Sequence, residues 1–140
     1  MAAGGRRGLS GHDAAIAAVR AAWAAGADPS RTDLAEATRA LAGELGARFG
    51  GRTIEVRVPP FAAVQVASPT GEGPHHTRGT PPNIVETDPA TFVRLALGLT
   101  TWDEAVAARA VRFSGAHAAE VAVLLPLDLI GTPATPQSPT

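Results

Sequence analysis

Hydrophobic positions change period four times along the chain, and the changes mark its elements. Between residues 13 and 25, Ile16, Val19 and Trp23 recur at spacings of three and four, which predicts one apolar stripe of a helix. Asp13 suits its N-cap or first turn, and Gly26 its end. A second helix is expected from about Ser30 to Phe49, with Leu34, Thr38, Leu41, Leu45 and Phe49 on one face and Glu36, Arg39 and Glu44 off it. Gly50-Gly51 stops it. The period then drops to two: Ile54, Val56 and Val58 alternate with Thr53, Glu55 and Arg57, the signature of a strand with one buried face. Pro59-Pro60 must end that strand, because neither residue has an N–H to donate.

A second strand is expected over residues 61–67 and a third over 83–87. Between them lies SPTGEGPHHTRGTPP, mostly loop by its Pro and Gly content. Asp88 and Pro89 suit the N-cap and first position of a helix carrying Phe92, Leu95, Ala96 and Leu99. Thr101 caps a short helix over 102–109, with Asp103 and Glu104 placed where the helix dipole favours acids. A last strand over 111–115 and a final helix over 118–125 complete the order. Neighbouring strands joined by short turns pair antiparallel, and the last strand is reached through a helical crossover. The expectation is an α+β domain over residues 12–130, with a mixed, mainly antiparallel sheet and helices on one face. Residues 1–11 and 131–140 are expected to be disordered.

Composition removes several chemistries. The net charge of −1, from 12 basic and 13 acidic groups, gives no field for nucleic acid or an anionic membrane. Zero Cys excludes disulfides, thiolate catalysis and zinc–thiolate sites. Every basic residue is Arg, so lysine Schiff bases and a P-loop lysine are excluded too. Arg6-Arg7 has the look of an export signal. Asp13 and Arg20 interrupt the apolar region that such a signal needs, and the expected location is the cytoplasm. No apolar run approaches the ~20 residues of a membrane span.

The stretch NIVETDPATFVRLALGLTTWDEAVAARAVRFSGAHAAEVAVLLP, Asn83 to Pro126, resembles the sterol carrier protein type 2 family. A strand runs into an Asp-capped helix of Phe-x-x-Leu-x-x-Gly pattern, here Asp88, Phe92, Leu95 and Gly98. A short helix with a buried Ala (Ala105) and a strand ending in Gly (Gly115) follow. RTIEVRVPPFAAVQV with GPHHTRGTPPNIVETDP is similar, more narrowly, to the bacterial sterol-carrier orthologues of actinobacteria. The resemblance covers roughly residues 31–126. It implies a five-stranded sheet, the missing strand falling in 74–80, and an apolar cavity between sheet and helices able to hold a lipid tail.

On that reading Phe61, Phe92, Leu95, Leu99, Trp102 and Phe113 line the apolar site, and Arg78 stands at its mouth. Periodicity alone is equally compatible with those side chains filling a core. Arg78, with Glu86 and Asp88, forms either a surface ion pair or a clamp for an acid head group. His75 and His76 are adjacent, so on an extended segment they splay apart, and no metal site or cofactor is expected. No catalytic constellation is visible. Three functions stand beside one another: a non-catalytic binder of a lipid, sterol or acyl chain, an accessory domain of an enzyme, and a structural, dimerising module with a closed pocket.

Overall fold

The computed structural model describes residues 10–71 and 83–127, without the side chains of residues 10–12. Helix α1 spans Ser10–Ala24 with Asp13 in its first turn. Helix α2 spans Arg31–Phe49, capped by Ser30, whose hydroxyl accepts from the Asp33 amide at 3.0 Å. It runs directly into β1, Gly50–Val58, which turns at Pro59-Pro60 into β2, Ala62–Val66. Strand β3, Asn83–Thr87, leads through the Asp88 cap into α3, Pro89–Leu97. Helix α4, Trp102–Ala107, strand β4, Val111–Ser114, and a 3₁₀ helix, Ala118–Leu124, follow.

The sheet order is β2-β1-β3-β4. β1 pairs antiparallel with β2 and parallel with β3, and β3 pairs antiparallel with β4. The mixed, mainly antiparallel expectation holds. The strand number does not: the sheet of the described residues has four strands, not five, and the segment 74–80 lies outside those residues.

Alternation decides which face is covered. Ile54, Val56, Val58, Val66 and Val85 are all 2% exposed or less and face the helices. α2 lies on β1 and β2, and the 3₁₀ helix on β3 and β4. The opposite face carries Glu55, Arg57, Glu86 and Arg112, so the sheet presents charge there instead of an apolar surface. Arg57 pairs with Glu55 along β1 and Arg112 of β4 with Glu86 of β3, pairs worth about 0–1 kcal/mol each when exposed.

Two glycines set how closely layers approach. A Cβ on Gly46 of α2 would lie 2.6 Å from Val64 Cγ2 of β2, so the helix rests directly on the strand. Gly98 ends α3 at φ 77°, a left-handed conformation that a side chain resists, and its N–H reaches the Arg94 and Leu95 carbonyls. In α1, Ile16 and Val19 are buried as the stripe predicts, but Trp23 is only half-buried. The Arg94 guanidinium of α3 covers its ring at 4.2 Å, because the Trp sits at the outer end of the stripe where the helix leaves the core.

Candidate functional site

The residues expected to line one apolar site divide into three places. Phe92 and Leu95 are 1% and 4% exposed and belong to the main core cluster. A Trp in place of Leu95 would overfill that core. Leu99 and Phe113 lie at the surface, and Trp102 is half-buried against the edge of the core. Phe61 belongs to the β1–β2 turn, on the far side of the sheet order, and Arg78 lies outside the described residues. Of the residues grouped with Arg78, Glu86 accepts from Arg112 at 2.9 Å and Asp88 from the Thr91 amide at 3.0 Å.

The surface group is built by the two helix ends. Gly98 turns the chain out of α3, which leaves Leu99 40% exposed. Thr101 then starts α4 with a reciprocal capping box: its hydroxyl accepts from the Glu104 amide, and the Glu104 carboxylate accepts from the Thr101 amide, both at 3.1 Å. These bonds, with the Thr100 hydroxyl, hold the Glu104 carboxyl below its ordinary value. They also tie down the Thr100-Thr101 connection, and Trp102 stands at the head of the helix they fix. Its ring meets Phe113 of β4, centroid to centroid at 5.6 Å with the planes at 46°. Phe113 is 44% exposed although it points to the same sheet face as buried Val111. Among the described residues β4 is an edge strand, and α4 covers only part of it. Trp102 and Phe113 thus form an aromatic pair at that edge of the helix-covered face, and exposed Leu99 lies three residues before Trp102 in the chain.

A polar cluster lies where β2 ends. Glu120 of the 3₁₀ helix accepts from the Ser68 hydroxyl and from Thr70, and its other oxygen lies 2.8 Å from His117 Nδ1. Donation by Ser68, then by His117, lowers the Glu120 carboxyl from its ordinary value of 4.5. The His117 amide in turn donates to Asn83 Oδ1 at 2.8 Å, and Asn83 Nδ2 donates to the Thr53 carbonyl at 3.0 Å. Asn83 is 2% exposed, so these bonds satisfy a polar side chain in the core. Ser, His and Glu meet here, but the carboxylate sits between the other two. A nucleophile activated by a base needs the imidazole in the middle, so the cluster is a structural tie rather than a catalytic triad. Sequence reasoning missed it. The only local signal is the three-residue spacing of His117 and Glu120, and Ser68 is 52 residues away. Among the described residues no group of three His, Asp or Glu is disposed to hold a metal.

The described residues thus form a small α+β domain with the Trp102–Phe113 pair at the β4 end of its sheet. The family follows from the sequence as a whole. Residues 30–127 match the model of the bacterial SCP ortholog family, most of the chain, and the protein belongs to that bacterial sterol carrier protein-like family. No curated protein matches the chain. No helix of the described residues is long and apolar enough to cross a membrane.

Proposed function

We propose that the protein is a non-catalytic carrier that binds one apolar molecule, a lipid, sterol or acyl chain, in the cytoplasm. Membership of the sterol carrier-like family supports the ligand class. The observation that carries the site is the pair of half-buried Trp102 with exposed Phe113 at the β4 edge of the described sheet, with Leu99 exposed as well. An apolar guest seats against that rim and reaches inward between β4 and the α3–α4 connection. Trp102 suits such a rim, since its ring is apolar and its N–H stays wet. Phe92 and Leu95 form the wall behind the rim, and Phe61 lies apart from it at the β1–β2 turn.

The test uses a Trp23→Phe background, in which Trp102 is the sole tryptophan. Fatty acids and alcohols of increasing length are titrated while its emission is followed. Each methylene buried contributes about 0.8 kcal/mol, so affinity rises up to about fourfold per carbon until the site is full. Phe113→Ser weakens every member of the series by about tenfold, because it removes one wall of the rim. Unchanged Trp102 emission across the series, or equal affinities for the Phe113→Ser protein, refutes the reading.

A further inference from the structure

A second constellation lies at the β1–β2 turn, away from the rim. Pro59, Pro60, Phe61, Ala62 and Ala63 line a solvent-open cleft of about 570 Å³, with Arg57 and Glu86 at its floor. That volume falls in the range of small-molecule sites. Ala63, Arg57, Glu86 and Arg112 stand side by side across the four strands, and the small Ala63 is what leaves space beside the turn. The floor charges are already engaged: Arg57 holds Glu55 at 2.8 Å and Glu86 holds Arg112 at 2.9 Å.

The Phe61 ring also carries two further cations. The Arg31 and Arg39 guanidinium carbons of α2 lie 5.0 and 5.6 Å from its centroid. Neither has a carboxylate at ion-pair distance among the described residues. Two like charges gathered on one ring repel each other, and the quadrupole of a single exposed ring offsets that only in part. A bound dianion would neutralise both. One carboxylate matches a single guanidinium fork, whereas a phosphate presents two charges and enough oxygens for two forks.

From this geometry we infer a second ligand site, for a soluble amphiphile with a phosphomonoester head. The phosphate sits between Arg31 and Arg39, and the attached apolar group lies across Phe61 into the cleft formed by Pro59, Pro60 and Ala63. The site is distinct from the lipid rim, because it centres on the β1–β2 turn and uses none of the rim residues.

Octyl phosphate, octanol and inorganic phosphate are each titrated into the full chain and followed by amide NMR. Octyl phosphate is expected to give saturable shifts at Arg57, Phe61, Ala62 and Ala63, and at the side-chain Nε–H of Arg31 and Arg39. Octanol and inorganic phosphate bind there at least about tenfold more weakly, since each supplies one half of the contact. Arg31→Gln with Arg39→Gln lowers octyl phosphate affinity by about tenfold and leaves any octanol binding unchanged. Phe61→Leu, which keeps the bulk of the turn, lowers it less, by releasing the two guanidinia from the ring. Equal shifts with octanol, equal affinity in the double Gln protein, or binding only to vesicles containing anionic lipid overturns the assignment. Shifts confined to Leu99, Trp102 and Phe113 overturn it as well and place the amphiphile at the rim.

Discussion

Helix α2 and strand β2 touch at a point where a single methyl group measures the space between the layers. Gly46 lies in the interior of α2, and a Cβ there would stand 2.6 Å from Val64 Cγ2. Two opposing effects follow from Gly46→Ala. The helix gains about 1 kcal/mol, because Ala loses less backbone freedom than Gly on folding. The overlap costs about 1–3 kcal/mol, because Val64 is β-branched and cannot swing its methyl aside without leaving its rotamer. The overlap wins, and the variant is destabilised by up to about 2 kcal/mol. Gly43 is the control: it lies in the same helix, and a Cβ there meets nothing within 4 Å. Gly43→Ala should therefore stabilise by about 0.5–1 kcal/mol. In a Val64→Ala background the clash is gone, and Gly46→Ala should reverse sign and stabilise by about 1 kcal/mol. Urea unfolding of the four proteins in the Gly46/Val64 cycle, with Gly43→Ala beside them, measures each term. If Gly46→Ala stabilises in both backgrounds, helix and strand do not touch in solution. A gap between α2 and the sheet would then be available to a ligand, and the confinement of the apolar site to the β4 edge would be wrong.

Asn83→Leu should cost about 2–4 kcal/mol, because it strands the Thr53 carbonyl and the His117 amide in a buried setting; an equilibrium denaturation change below about 0.5 kcal/mol would show that water replaces the side chain. Glu120 has its carboxyl lowered on folding, so its contribution is present above the ordinary value of 4.5 and is lost as pH falls through the lower folded value. Melting temperatures measured from neutral to acid pH should fall more steeply below about 4.5 in the wild type than in Glu120→Gln, and parallel curves would remove Glu120 from the acid response. Trp23→Ala should cost about 1–3 kcal/mol, less than a fully buried Trp, since the ring is half-exposed under Arg94; thermal melting that shows a loss above about 4 kcal/mol would place the ring in the core.

The local elements were legible because their causes are local. Ile54, Val56 and Val58 announce a strand by their period of two, and Asp88-Pro89 and Thr101 announce helix starts by the chemistry of caps. The same local rules found Gly98 as a stop, and the tertiary structure confirms it with a positive φ. Period alone could not distinguish Phe92 and Leu95, which are core, from Leu99 and Phe113, which are surface. All four are apolar positions in a regular pattern; the turn at Gly98 exposes Leu99, and the partial cover of β4 by α4 and the 3₁₀ helix exposes Phe113. The Ser68–Glu120–His117–Asn83 tie and the gathering of Arg31, Arg39 and Phe61 were invisible for a related reason. Their members lie on separate elements, and only the pairing of β2 with β1 and the seating of the helices on the sheet bring them within bonding distance. The parallel pairing of β1 with β3 likewise belongs to the tertiary structure, since a chain that leaves β2 on one side of β1 and returns on the other carries no local mark of that crossing.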